Sequence, residues 1–283
     1  MNKTVGLSQH LLCVGQSGLG KSTLKKMIKK KYPPIEKDDR KLLPILTVDT
    51  PSSPTIKNMA EAVLIQLEDP LFSRGSAVDK TNRILTLLKK KQVKLIIVDE
   101  LQHFIDQGNR KAPLEVSDWL KIIIEQSDTS TVLMGLKRSE RILQINEQLR
   151  RRYSKRIELL PFSIDDDYQA SIFLGVIKHF DKLLGLPNRM VVDNKLLQRF
   201  HYATNGIIDY VLQLFLGSLE QLNATSKNKI DQKTLETAFT HCVWHEGVGK
   251  LNPFSESFMW QRLDKPGMPF NEFSIQSDKR VQL

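Results

Sequence analysis

The sequence predicts an α/β fold in which a five-stranded parallel sheet flanked by helices precedes a small helical domain. Short apolar runs rich in β-branched residues alternate with segments of helical period as far as Pro161. This alternation is typical of a parallel sheet covered by helices. After Pro161 only helical periods remain. With 40% hydrophobic residues in 283, the chain can bury a sizeable core in one or two domains.

Five apolar runs predict the strands, and helical periods between them predict the covering helices. The predicted strands are 10–14, 44–48, 94–98, 131–134 and 156–160. The predicted helices are 21–31, 55–67, 80–90, 116–126 and 139–149. In the second region an acidic start near 165 predicts one helix, because carboxylates are favoured at a helix N-terminus. Further helices are predicted at 193–203, 206–222 and 231–245.

These patterns predict three parts: 1–162, the domain that contains the sheet; 163–246, a helical lid domain; and 247–283, a tail. Three prolines, Pro253, Pro266 and Pro269, predict that the tail is extended or partly ordered. Its aromatic residues either dock onto a partner or fold back on the lid, and the sequence leaves both readings open.

Composition narrows the class of protein. The net charge of +10 favours a polyanionic partner such as nucleic acid or an anionic membrane face, with a merely soluble basic surface as the alternative. Two distant cysteines and six scattered histidines indicate neither a disulfide framework nor a zinc site. No apolar run is long enough for a membrane helix, and the start lacks a signal-peptide pattern, so we expect a soluble, cytoplasmic protein without a membrane partner.

A glycine-rich loop follows the first predicted strand. The segment from Gly15 to Ser22 fits G-x-x-x-x-G-K-[ST] and leads into a helix. Glycines let successive backbone N–H groups turn onto phosphates at a helix N-terminus. We therefore expect Lys21 to reach the β/γ-phosphates of ATP and Ser22 to offer its hydroxyl to Mg²⁺. The predicted nucleotide contacts are Gly15, Gln16, Ser17, Gly18, Leu19, Gly20, Lys21, Ser22 and Thr23.

Two acidic residues end the third predicted strand. Asp99 is placed to hold Mg²⁺, and Glu100 to orient or polarise an attacking water. A solvated acidic turn is the simpler reading of any single Asp-Glu pair. Together with the glycine loop, the pair favours ATP hydrolysis.

Three arginines, Arg150, Arg151 and Arg152, precede the fifth predicted strand. A basic helix end that interacts with its own last carbonyls is one reading. The other is an arginine finger that reaches the γ-phosphate of a neighbouring subunit. We favour Arg152 for that role because Tyr153 follows it.

Taken together, these residues resemble an AAA+ P-loop ATPase. The segments VDELQHF, TVLMGLKRSERIL and NEQLRRRYSKRIELLPFS are similar to those of the TniB/TnsC family of transposition regulators, over about residues 8–245. The resemblance implies ATP and Mg²⁺ as cofactors and a homo-oligomeric ring or filament on double-stranded DNA. It also implies partners: a transposase and a target-selection complex.

The resemblance also assigns roles to residues of this chain. Lys21, Ser22, Asp99 and Glu100 take the nucleotide and metal roles, and Arg152 the finger. In the loops that would line the DNA pore, the candidate DNA contacts are Lys57, Arg74, Ser76 and Lys80. The alternative is that they are solvated loop residues without a role in DNA binding. Where relatives carry polar sensors, this chain has Leu136 and Lys137, then Asp209 and Tyr210. We therefore expect slow, partner-dependent hydrolysis.

Two other functions remain open at this point. One is an AAA+ replication initiator or loader, for which a helix-turn-helix after the lid would be expected. The other is an ATP-bound protein scaffold that never touches DNA. A steep dependence of DNA retention on salt would separate the scaffold from the DNA-binding functions.

Overall fold

A computed structural model describes residues 8–106, 111–225 and 228–271. Within these residues the chain divides into two compact units, with the division between Leu160 and Pro161. The sequence places the boundary two residues later.

The first unit is built on a parallel sheet. The described residues of this unit form seven strands: β1 (His10–Gly15), β2 (Ile35–Lys37), β3 (Arg40–Leu42), β4 (Ile45–Asp49), β5 (Leu95–Asp99), β6 (Ser130–Gly135) and β7 (Lys155–Leu159). Five of them form one sheet in the order β4-β5-β6-β1-β7, all parallel. The five predicted strands are confirmed, with ends shifted by one residue. The antiparallel hairpin of β2 and β3 was not predicted, because three-residue strands are too short to show a period.

Seven helices accompany these strands in the described part of the first unit. They are α1 (Lys21–Lys31), α2 (Ile56–Gln66), α3 (Ala77–Lys90), α4 (His103–Asp106), α5 (Lys111–Ser127), α6 (Arg141–Ile145) and α7 (Glu147–Arg152), with a 3-10 turn at Lys137–Glu140. Both faces of the sheet carry apolar side chains. One face packs against α2, α3 and α5. On the other face Cys13, Ile97 and Met134 pack against Leu24 and Ile28 of α1.

Two differences between the predicted and the observed helices follow from side-chain caps. The single helix predicted at 139–149 is wrong, because Asn146 adopts an extended conformation and breaks it. The Asn146 side chain accepts a hydrogen bond from the Leu149 N–H and so begins α7. The helix predicted at 80–90 begins instead at Ala77, because Ser76 and Asp79 form a reciprocal capping box.

The second unit contains four helices among its described residues. They are α8 (Asp167–Leu183), α9 (Asn194–Thr204), α10 (Ile208–Thr225) and α11 (Gln232–Cys242). Asp166, Asp193 and Asp231 each accept a hydrogen bond from an N–H of the first turn and so cap α8, α9 and α11. Phe173, Phe200 and Phe215, among others, form the core of this unit.

The segment 247–271, part of the tail predicted to be extended or partly ordered, packs on the helices of the second unit. Phe254 and Phe270 are buried in the core of the unit. The guanidinium of Arg199, on α9, donates a 2.7 Å hydrogen bond to the carbonyl of Ser255. These contacts settle the choice that the sequence left open for the tail aromatics: they pack on their own unit. Residues 272–283 lie outside the described residues.

Candidate nucleotide-binding site

The loop between β1 and α1 can be built only with glycines at three positions. Gly18 and Gly20 have φ of 78° and 91°, in the left-handed region that side chains disfavour. A Cβ atom on Gly15 would lie 2.8 Å from the backbone oxygen of Leu159 on β7. The loop thus turns tightly at the carboxyl edge of the sheet and leads directly into the N-terminus of α1.

Lys21 is held inside this loop. Its side chain is buried, and its ammonium donates hydrogen bonds of 2.8 Å and 2.6 Å to the backbone oxygens of Gly15 and Gln16. Burial lowers the pKa of Lys21, against the opposing influence of Asp99 and Glu100. An ammonium in a desolvated loop with two acidic neighbours is prepared to pair with a polyanion such as a phosphate chain.

The N-terminus of α1 adds to this anion site. Ser22 and Thr23 are exposed in its first turn, and that turn carries no acidic residue. The free N–H groups and the positive end of the helix dipole favour a phosphate at this place.

Asp99 and Glu100 lie at the same edge of the sheet, at the end of β5. Asp99 is 1% exposed, and its Oδ1 accepts the Glu100 N–H at 2.9 Å. The backbone oxygen of Asp99 accepts hydrogen bonds from the N–H and the hydroxyl of Thr50, at 2.9 Å and 2.8 Å. Glu100 is half-buried with a φ of 59°, a strained conformation of the kind that clusters at functional sites.

Lys25 is a member of this site that the sequence reasoning missed. One turn after Lys21 on α1, its ammonium lies 2.7 Å from Asp99 Oδ2 and 2.5 Å from Asp49 Oδ1. Asp49 and Asp99 are register partners at the ends of β4 and β5. Burial lowers the pKa of Lys25, but its contacts with the two carboxylates outweigh this and raise the pKa overall.

Gln102 is a second residue that was missed, although it stands in the segment VDELQHF. Its side-chain amide donates a hydrogen bond to Oε2 of Glu100. Its side-chain oxygen accepts the N–H of Leu136 at 3.2 Å, just after β6. A Cβ on Gly135 would clash with Ser139 Oγ and lie 3.0 Å from the same Gln102 oxygen, so a larger residue would crowd this contact.

The four residues at the expected sensor positions make contacts within their own units. The Leu136 N–H bonds to Gln102, and the Lys137 ammonium forms a 2.9 Å ion pair with Glu158. In the second unit the Tyr210 ring packs edge-on against Phe270, and Asp209 accepts a hydrogen bond from Gln213.

The three arginines occupy the last turn of α7, and all are exposed. Arg151 pairs with Glu147 on its own helix, and Arg152 pairs with Glu125 at 2.7 Å. Arg150 has no ion pair with any residue in the described ranges. The predicted finger is thus exposed, and its partner Glu125 is a half-exposed surface carboxylate.

Of the four predicted DNA contacts, three are exposed and one is not. Lys57 is exposed in the first turn of α2, and Arg74 and Ser76 are exposed before α3. Lys80 has no exposed side-chain surface: it pairs with Glu61 at 3.2 Å and donates to the backbone oxygen of Phe72. The prediction for Lys80 is wrong, because its ammonium is buried and its contacts hold the loop before α3 in place.

The acidic edge of the sheet fits a magnesium ion that arrives with a nucleotide. No group of three or more potential metal-ligating side chains occurs in the part of the chain that the structure describes. Mg²⁺ in nucleotide sites needs only one or two protein oxygens, since phosphates and water supply the rest. Apart from the Lys25 ion pair, Asp99 Oδ2 receives no hydrogen bond from the described residues. This buried oxygen and the exposed hydroxyl of Ser22 meet that need.

The sequence of the first unit matches a known family. A family model described as "Bacterial TniB protein" matches residues 3–162, more than half of the chain. The chain belongs to the TniB family. The match confirms the family resemblance and ends within two residues of the division between the units. No curated protein sequence matches the chain.

Solved structures share the fold of this TniB protein. The ORC2 protein of Aeropyrum pernix, solved as ADPNP–ADP complexes, aligns with a TM-score of 0.62 at 14% identity, over 83% of this chain and 62% of that one. The ORC1 protein of the same organism, solved in complex with DNA, gives 0.56 at 13% identity, over 81% and 58%. The RuvB branch migration motor of Thermotoga maritima gives 0.51 at 15% identity, over 83% and 62%.

These likenesses confirm the predicted AAA+ fold, a five-stranded parallel sheet followed by a helical region. The TniB chain spans less than two thirds of the length of each of these three structures. In the described residues, no helix is both long and apolar enough to cross a membrane.

Proposed function

We propose that this TniB protein is an ATPase that assembles on duplex DNA when ATP and Mg²⁺ are bound. The assembly, a ring or filament, licenses a transposase at a site chosen by a separate target-selection complex, and hydrolysis resets it. One observation carries the proposal: a phosphate loop holding a buried Lys21 lies beside Asp99 and Glu100 in a chain of the TniB family.

The residues divide the work of hydrolysis by position. Lys21 and the first turn of α1 bind the β- and γ-phosphates, exchanging the carbonyl partners of the Lys21 ammonium for phosphate oxygens. Ser22 and Asp99 would hold Mg²⁺, which neutralises the charge of the phosphates when it is bound. Glu100 accepts a proton from the attacking water or orients it. Arg152 reaches the nucleotide of a neighbouring subunit.

Two variants test this division of roles. Lys21→Ala should abolish binding of a fluorescent ATP analogue and, with it, assembly on duplex DNA. Glu100→Gln should bind ATP, because the carboxylate is not a phosphate ligand, and should form assemblies that persist because hydrolysis fails. Lys26→Ala, which removes an exposed charge from the same helix, is the matched control. A Glu100→Gln protein that stays monomeric with ATP, Mg²⁺ and DNA would contradict the proposal.

The proposed contact with DNA is supported by the net charge of +10 and by the exposed basic positions Lys57 and Arg74. If these side chains meet phosphates, retention on duplex DNA should fall steeply with salt, and each alanine variant should reduce the log–log slope by about 1. Retention that does not depend on salt would favour the scaffold function. Equal loss of binding on all sequences would indicate phosphate contacts rather than base contacts.

A further inference from the structure

Lys25 lies where a metal ion would be expected to approach Asp99. Its side chain is 15% exposed and spans two carboxylates, one buried and one exposed: Asp99 is 1% exposed and Asp49 is 68% exposed. Both acids lie at the carboxyl ends of neighbouring strands, and Lys25 faces them from α1.

The two oxygens of Asp99 have different partners. Oδ1 accepts the N–H of Glu100, a backbone contact within the turn. Oδ2 has only the ammonium of Lys25 within the described residues. A buried carboxylate without a counter-ion is strongly unfavourable, so Lys25 stabilises the protein whenever no other cation is at Oδ2.

A magnesium ion that uses Asp99, directly or through water, needs the same oxygen. Two cations at one carboxylate oxygen repel each other in a site with little water to screen them. Asp49 offers the ammonium an alternative, because its carboxylate is exposed and already in contact with Lys25. The lysine can therefore give up Asp99 and still keep an acidic partner.

We propose that Lys25 is an internal counter-ion that competes with Mg²⁺ for Asp99 and so sets the Mg²⁺ concentration at which the site binds Mg²⁺–ATP. This inference rests on the proposed function, since it concerns the metal that accompanies the nucleotide. The inference adds a mode of regulation to that site. The Lys25 ammonium neutralises the Asp99 carboxylate before Mg²⁺–ATP binds, and it pairs with Asp49 alone once Mg²⁺ has bound.

The test is a Mg²⁺ titration of the binding of a fluorescent ATP analogue, with no measurement of hydrolysis. Lys25→Met keeps the length of the side chain and removes its charge. The half-saturating Mg²⁺ concentration should fall by about three- to tenfold, because the competitor is gone. Lys25→Arg keeps the charge and should stay within about twofold of the original protein. Lys26→Met removes an exposed charge from the same helix and should leave the half-saturating concentration unchanged.

Where Lys25→Met folds, its melting temperature without nucleotide should lie about 2–4 °C below that of the original protein, and that of Lys25→Arg should fall less. If Lys25→Met does not fold, a substitution at Asp49 still tests the inference. Asp49→Asn, at an exposed position, removes one of the two acidic partners of Lys25, so the ammonium can pair only with Asp99. The half-saturating Mg²⁺ concentration should then rise at least about twofold.

Specific outcomes would overturn the inference. A half-saturating Mg²⁺ concentration that is unchanged or raised in Lys25→Met, or one that falls in Asp49→Asn, shows that Lys25 does not compete with the metal. In those cases Mg²⁺–ATP still binds and the proposed function stands. If the original protein bound no analogue at any Mg²⁺ concentration, the proposed function and this inference would both fail.

Discussion

Gln102 holds the carboxylate of Glu100 through its side-chain amide while its side-chain oxygen accepts the N–H of Leu136. The residue proposed to activate water is thus tied to the backbone that follows β6. The hydrogen bond occupies one oxygen of the Glu100 carboxylate and fixes the orientation of the side chain. Gln102 therefore restrains Glu100.

The first prediction concerns this restraint. Gln102→Ala should raise the basal kcat of ATP hydrolysis by about two- to tenfold, since a free carboxylate can accept the proton of water. The affinity for the ATP analogue should not change, because Lys21 and the loop are untouched. Steady-state kinetics in the absence of DNA measure both quantities. Gln144→Ala, at an exposed position on α6, is the control. A fall in kcat would mean that Gln102 aligns Glu100 rather than restrains it.

The second prediction concerns the close approach of the glycine loop to β7. Gly15→Ala would bring a methyl group to 2.8 Å from the Leu159 oxygen, and we expect a loss of about 1–3 kcal/mol in the free energy of unfolding. Urea unfolding measures this. Gly175→Ala is the matched control: a Cβ there meets no atom within 4 Å, so the helix should gain up to about 1 kcal/mol. Equal effects of the two substitutions would contradict the tight packing of the loop.

The third prediction separates the arginines of α7. Arg152→Ala should bind ATP normally and lose about 10³-fold in kcat if it is the finger. Mixing it with Glu100→Gln should restore part of the activity, because the second variant lends its Arg152 to a subunit with an intact Glu100. Arg150→Ala is the comparison, since this arginine has no ion pair with a described residue. Loss of activity in Arg150→Ala alone would transfer the role to Arg150.

The fourth prediction separates a buried lysine from an exposed one. Lys80→Ala should lower the free energy of unfolding by about 1–3 kcal/mol, because the backbone oxygen of Phe72 loses its hydrogen-bond donor. Lys57→Ala should change stability by less than about 0.5 kcal/mol, as expected for an exposed side chain. Chemical unfolding of both variants checks this. A stable Lys80→Ala protein would contradict the structural role of that ammonium.

The sequence predicts those features that depend on local pattern. Apolar runs place the five strands within one residue, and the spacing of glycines around Lys21 marks the phosphate loop. The contacts of Lys25 and Gln102 are not local: Lys25 and Asp99 are 74 positions apart, and they meet only because α1 packs over the edge of the sheet. From the sequence alone, Lys80 resembles a charged residue of an exposed loop. In the structure the capping box at Ser76 starts α3 before Lys80, and the lysine side chain is buried.

The tail that folds back on the second unit has a consequence for biosynthesis. Phe254 and Phe270 complete a core that also includes Phe200 and Phe215 of α9 and α10. During translation the helices leave the ribosome first, with that apolar surface uncovered until the tail follows. The second unit can therefore complete this core only once residue 270 has been synthesised, and a chain stopped before Phe254 leaves apolar surface uncovered.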